Sequence, residues 1–229
     1  MRTLVLGGAR SGKSGWAESL FDAHGPSPVD YVATARPWPG ADGFDADFTA
    51  RIAGHRERRP AHWRTVDDVD AIQALRRPIG LAPSLTPDAK SSAFDDESAA
   101  GAGFSAPFVL LDDVGTWLTG VLDRENLWDS SRGSVAPWTD EFVAAVRDWG
   151  ADEAPVDGVR EGVVKQEGGG RGEPEPHLVI VTPEVGMGVI PEHRSGRLFR
   201  DEIGLLNGRL AEVCDRVVLV VAGVALHLK

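Results

Sequence analysis

An α/β fold with a mostly parallel central sheet flanked by helices is what the sequence predicts, on three observations. Short apolar, β-branched runs recur at residues 3–6, 31–34, 108–111, 178–182 and 217–221. Segments with helical spacing separate them, the alternation that builds a helix-covered parallel sheet. The runs are also apolar throughout instead of alternating with polar residues, as strands covered on both faces are. At 229 residues with 42% hydrophobic content, the chain is expected to form one domain spanning residues 1–229.

The first run ends in Gly7-Gly8-Ala9-Arg10-Ser11-Gly12-Lys13-Ser14. The spacing is G-x-x-x-x-G-K-[ST], a phosphate-binding loop: glycines let successive N–H groups turn toward phosphate oxygens, Lys13 adds charge, and Ser14 offers a hydroxyl to Mg²⁺. Trp16, Ala17, Leu20 and Phe21 continue with helical spacing, which sets the phosphates at a helix N-terminus. The fold class is thereby narrowed to P-loop NTPase-like.

After the run at 31–34, helical spacing covers 48–55, and residues 51–60 place His55 among Arg51, Arg56, Arg58 and Arg59. Such charge would lower the pKa of the imidazole and neutralise a phosphoryl group, which suits a nucleophile. Taken without more, a charged, solvated helix end with an idle histidine explains the residues better. Helical spacing returns at 69–75. The run at 108–111 is followed by Asp112 and Asp113. An acid at the carboxyl end of a neighbouring strand is the partner that a phosphate loop needs for Mg²⁺, and Asp112 takes that role while Asp113 is expected to cap the helix beginning near Thr116. Helices follow at 117–122 and 142–149. The run at 178–182 also ends in an acid, Glu184, ahead of Gly186-Met187-Gly188. Glu184 is either a substrate or base position or a residue that only holds the turn. A long amphipathic helix at 198–213 and the run at 217–221 complete the pattern. Residues 78–107 and 150–176, rich in small residues, Pro, Gly and charge, interrupt it as flexible insertions and are assigned no catalytic residue.

Composition excludes several classes. A net charge of −11 with pI near 5.0 argues against sequence-independent nucleic-acid binding. Nothing approaches the length of a membrane span. Cys214 is the only cysteine, which rules out an intrachain disulfide and suits a cytoplasmic protein. His24, His62, His177, His193 and His227 lack metal-ligand spacing.

Several motifs in register resemble one family. They are G-G-A-R-S-G-K-S, Tyr31-Val32-Ala33-Thr34-Ala35, R-I-x-x-H-x-x-R-P with Trp63-Arg64-Thr65 after it, Glu184-Val185-Gly186-Met187-Gly188-Val189-Ile190-Pro191, Phe199-Arg200-Asp201 with Gly204, Asn207, Leu210 and Ala211, and the stretch 223–229. Together they resemble the bifunctional adenosylcobinamide kinase/adenosylcobinamide-phosphate guanylyltransferase of cobalamin biosynthesis. The resemblance implies a P-loop fold assembled as a trimer and a corrinoid substrate phosphorylated on its aminopropanol hydroxyl by ATP or GTP. It then implies transfer of GMP from GTP through a histidine that corresponds to His55. Nucleotide contacts would fall on Gly7 to Ser14, Ala33, Thr34, Ala35, Arg56, Glu57, Arg58, Arg59, Asp67 and Asp112, with Lys13 and His55 catalytic and Ser14 and Asp112 on Mg²⁺. Asp67 stands where relatives often carry glutamate, and Pro183 where they commonly carry asparagine. The loop 36–44 is longer and richer in Pro and Gly than expected. The alternatives are a single-activity P-loop kinase for another small alcohol, with His55 a bystander, and a nucleotide-dependent switch module.

Overall fold

In the computed structural model the described residues are 1–34, 59–67, 69–77, 107–151 and 175–229. Among them, seven strands form one sheet in the order β3-β2-β4-β5-β1-β6-β7. These are β1 (Arg2–Gly7), β2 (Val29–Ala33), β3 (Trp63–Val66), β4 (Phe108–Asp112), β5 (His177–Pro183), β6 (Arg216–Val221) and β7 (Val224–His227). All neighbours run parallel except β6 and β7, so the sheet is mostly parallel as predicted.

The all-apolar runs become strands buried on both faces. Leu4, Leu6, Val109, Leu111, Leu178 and Ile180 enter one core layer, while Val5, Phe108, Leu110, Val179 and Val181 enter the other, the period of two dividing each strand between layers. The first layer packs on α2 (Ala71–Leu75), α3 (Val114–Arg124), α4 (Ala136–Asp148) and α5 (Arg194–Val213); the second packs on α1 (Lys13–Ser19) and Phe21. Trp117 of α3 lies 4.4 Å from Phe142 of α4, centroid to centroid, pinning the two helices together.

Helix starts follow their caps. Asp70 accepts from the Ile72 amide at 2.9 Å and Asp113 from the Thr116 amide at 2.7 Å, so Asp113 caps α3 as its sequence position suggests. Pro137 occupies the first turn of α4, where its missing N–H costs nothing.

Two strands escape the sequence reading. β3 carries Arg64, which grips the buried Asp30 of β2 with Nε at 2.8 Å and Nη2 at 2.6 Å, so its pattern is that of a polar edge strand instead of an apolar run. β7 is an exposed hairpin partner of β6, with Ala222 and Gly223 at positive φ in the turn. The helix predicted at 48–55, the loop 36–44 and nearly all of 78–107 and 150–176 lie outside the described residues.

Candidate nucleotide site

Parallel strands bring the loop after β1, Ala33 of β2 and Thr34 after it, Asp67 after β3, Asp112 of β4 and Glu184 after β5 to one carboxyl edge. This is where open α/β sheets bind ligands. The loop between β1 and α1 is tightly packed at its base. A Cβ on Gly7 would sit 2.4 Å from Ser11 Oγ and 2.9 Å from the Val220 carbonyl, so only glycine fits. Gly12 closes the loop at φ 90°, a left-handed conformation, and starts α1 without a side-chain cap. The leading amides of the helix therefore remain for an anion. Gly223 of the β6–β7 turn donates its amide to the Ser11 carbonyl at 2.7 Å, buttressing the loop from outside. Lys13 Nζ donates to the Gly8 carbonyl at 3.5 Å, and Ser11 Oγ is buried with no hydrogen-bond partner among the described residues. Ala9 and Arg10 are exposed.

Asp112 is where the loop and the sheet edge meet. Ser14 Oγ donates to its Oδ1 at 3.3 Å, and the Tyr31 hydroxyl donates to its Oδ2 at 2.7 Å. Two residues 98 apart in sequence are thus side by side at the mouth of the loop. A hydroxyl beside a carboxylate is a hard-oxygen donor set, and among the described residues no group of three or more His, Cys, Asp or Glu could hold a metal alone. That set suits Mg²⁺, which takes one or two protein oxygens and completes its shell with phosphates and water.

Beside it, Thr34 locks the end of β2 to the backbone after β4. Its hydroxyl accepts from the Asp113 amide at 2.9 Å and donates to the Asp113 carbonyl at 2.7 Å, while the Thr34 amide reaches the Asp112 carbonyl at 3.3 Å. Burial, then the neighbouring Asp112 charge, raises the Asp113 carboxyl above the usual aspartate value.

Arg59 reaches this cluster from a different part of the chain. Its guanidinium carbon sits 3.3 Å from the Tyr31 ring centroid, and Nη1 donates to Thr65 Oγ1 at 3.1 Å. Asp67 is exposed just past β3. Ala35, His55, Arg56, Glu57 and Arg58 lie outside the described residues.

Glu184 turns inward on its own loop. Its Oε1 accepts from the Gly186 amide at 2.6 Å, which is the turn-holding arrangement, and its own amide donates to the Gly7 carbonyl at 3.0 Å. Asn207 of α5 braces the strand end, accepting from Thr182 Oγ1 at 2.6 Å and donating to the Pro183 carbonyl at 3.0 Å. Tyr31, the chain's single tyrosine, is the polar contributor that sequence reasoning missed, because inside an apolar run it reads as core.

Comparison with known proteins matches the chain to a family model described as cobinamide kinase / cobinamide phosphate guanyltransferase, over residues 3–83 and 90–228. A curated relative from Pseudomonas aeruginosa, the bifunctional adenosylcobalamin biosynthesis protein CobP, is 34% identical over 229 residues, covering 100% of this chain and 98% of its own length. The bifunctional adenosylcobalamin biosynthesis protein CobU of Salmonella typhimurium is 33% identical over 230 residues, and that of Escherichia coli 32% over 229, each covering 100% of both chains.

Proposed function

The chain belongs to the cobinamide kinase / cobinamide phosphate guanyltransferase family, and on that premise we propose that one sheet edge performs two consecutive reactions on one corrinoid, the second through a histidine–GMP intermediate on His55. The enzyme is bifunctional, a kinase and a guanylyltransferase of cobalamin biosynthesis. In the first step the aminopropanol hydroxyl of adenosylcobinamide attacks the γ-phosphorus of ATP or GTP. The bond to the β–γ bridging oxygen breaks, the nucleoside diphosphate leaves, and the hydroxyl proton passes to solvent. In the second, a ring nitrogen of His55 attacks the α-phosphorus of GTP and pyrophosphate departs. The phosphate of adenosylcobinamide phosphate then takes GMP from the histidine, giving adenosylcobinamide-GDP and free His55.

Phosphoryl transfer needs mostly positioning and charge neutralisation. In this proposal the amides of Gly7, Gly8, Ala9, Arg10, Ser11 and Gly12, with Lys13, grip the phosphates. Ala33, Thr34, Ala35 and Asp67 border the nucleotide, and the run Arg56, Glu57, Arg58 and Arg59 lies against the phosphates that His55 attacks. Ser14 and Asp112 would hold Mg²⁺, which when bound neutralises charge on the phosphate oxygens. Glu184 is kept as a member of the loop bordering the acceptor. The supporting observation is the convergence of Ser14 Oγ and Asp112 Oδ1 at the loop mouth. A single domain over residues 1–229, a homotrimer and a cytoplasmic location belong to the same proposal. Among the described residues no helix is long and apolar enough to cross a membrane.

The test uses Mg²⁺ with GTP labelled at the α- or the γ-phosphate. Acid-labile, alkali-stable label on protein from the α position alone, lost in His55→Ala, is the expected result. No protein-bound α label under turnover sinks the guanylyl half, and failure to phosphorylate cobinamide sinks the kinase half.

A further inference from the structure

A carboxylate at the end of a strand has a broad, nearly free terminal torsion. For Asp112 to present one oxygen steadily to the mouth of the phosphate loop, something must hold the other. The Tyr31 hydroxyl does this: it donates to Oδ2 at 2.7 Å while Oδ1 faces Ser14 Oγ at 3.3 Å. We propose that Tyr31 is a positioning residue for Asp112, fixing the carboxylate through its hydroxyl and tying it, through its ring face, to Arg59. This rests on the assignment of Ser14 and Asp112 to Mg²⁺.

Three features separate this from an ordinary core tyrosine. The side chain is 3% exposed, so a phenylalanine would fill the same space in the layer with Phe21, Phe108 and Trp63. Packing does not require the hydroxyl, and it is directed at Asp112, the carboxylate that Ser14 of the phosphate loop contacts. A phenol is protonated at neutral pH, so beside a carboxylate its hydroxyl donates, and here it donates to Oδ2. The Arg59 guanidinium carbon sits over the ring, 3.3 Å from its centroid, and the Arg59 Nε is buried with no partner among the described residues. A cation on the ring face draws electron density from the phenol and strengthens its hydroxyl as a donor. The chain of contacts Arg59–Tyr31–Asp112–Ser14 therefore joins the last arginine of the His55 segment to the phosphate loop in four residues.

Groups that orient a metal-binding carboxylate typically change metal affinity by about 10- to 100-fold when lost. The experiment is calorimetric titration of GTP with and without Mg²⁺, on the parent protein and Tyr31→Phe, alongside kinase rates across a Mg²⁺ series. The parent is expected to bind GTP more tightly with Mg²⁺. In Tyr31→Phe the Mg²⁺-dependent gain should shrink about tenfold and the Mg²⁺ requirement of the kinase rise about tenfold, with the rate at saturating Mg²⁺ within about threefold of the parent. An unchanged Mg²⁺-dependent gain in Tyr31→Phe overturns the positioning role and leaves the metal assignment standing. A parent protein whose GTP affinity ignores Mg²⁺ overturns the metal assignment itself and this inference with it. Should Tyr31→Phe fail to fold, Arg59→Met keeps the phenol but removes the cation, and about a threefold loss of the Mg²⁺-dependent gain is expected; no loss there contradicts the link through the ring.

Discussion

β4 and β5 lie side by side in register, both apolar through their middles and both leading to an acid, Asp112 at the end of β4 and Glu184 just past β5, yet the two acids make opposite kinds of contact. Asp112 is held from outside its own strand, by Tyr31 of β2 and Ser14 of α1, and faces the phosphate loop. Glu184 is held from within, folding back onto the amide of Gly186 two residues on. The difference lies in the segment that each strand leads into. After β4 the chain enters α3 at once, so Asp113 caps the helix and Asp112 is left pinned at the sheet edge. After β5 a ten-residue connection, 184–193, precedes α5, and its first carboxylate is used to start the turn. An acid at a strand end is held facing the phosphate loop when neighbouring elements supply its partners.

The largest contrast is expected between Asp112→Asn and Glu184→Gln. Removing the Asp112 charge should lower the kinase rate by about 10²- to 10³-fold, the usual size for a charge-stabilising group at a phosphoryl-transfer centre. Glu184→Gln should cost less than about tenfold, because an amide oxygen still accepts from Gly186. Equal losses in the two variants would mean that Glu184 acts on substrate and that the two strand ends are functionally alike.

Next in size is a difference at the other ends of the same strands. The register sets Phe108 of β4 opposite His177 of β5. His177 is 5% exposed, its Nε2 is 2.9 Å from Thr3 Oγ1, and burial, with smaller contributions from the terminal ammonium and Arg216, lowers its pKa to about 4 from 6.5. The unfolded chain then binds more protons between those values, so stability is complete above pH 6.5 and drains as pH falls toward 4. The loss is at most roughly 3 kcal/mol, at about 1.36 kcal/mol per unit. Urea midpoints from about pH 4 to about pH 7 should show this slope, and His177→Gln should flatten it. A slope that survives the substitution places the acid sensitivity elsewhere.

How much of this was legible in sequence differs between the two halves of each strand. The interiors were legible, because continuous apolar runs such as Leu178 to Val181 have few alternatives to a covered parallel strand. The phosphate loop was legible because Gly7, Gly12, Lys13 and Ser14 stand at fixed offsets. The strand ends were not. Asp112 and Glu184 both follow an apolar run, and among the contacts that separate them is the β2 hydroxyl, 81 residues away in the chain. β3 went unread for a related reason: Arg64 looks like a surface charge until Asp30, buried in an adjacent strand, is seen to require it. Long-range polar pairing leaves no periodicity to read.

Within the β5 loop a smaller effect is expected. Glu184→Ala deletes the acceptor for Gly186, and the loss should be about 1 kcal/mol of stability, typical of a partly solvated hydrogen bond. The unfolding midpoint checks it directly. A loss several times larger would show that the loop is braced by Glu184 more than by Asn207 and Arg200, which also hold it through the Pro183 and Gly186 carbonyls.

The smallest effect has the opposite sign, and it concerns the residue that frees Asp112 for its place. Asp113 caps α3 through Oδ1, yet its carboxyl is buried beside Asp112 and titrates above the ordinary aspartate value. In that interval the folded state holds the extra proton, so ionising Asp113 weakens the fold as pH rises from 3.8 through the raised value. Asparagine caps helices as well as aspartate and carries no charge. Asp113→Asn should therefore be more stable than the parent at neutral pH, by less than about 1 kcal/mol once the lost charge–amide attraction at Thr116 is subtracted. The gain should shrink as pH falls toward 3.8, where more than half of the parent's folded-state Asp113 is neutral. Midpoints measured side by side from about pH 3.5 to about pH 7.5 decide it: a variant weaker at every pH would mean that the carboxylate strengthens the cap by more than its burial beside Asp112 costs.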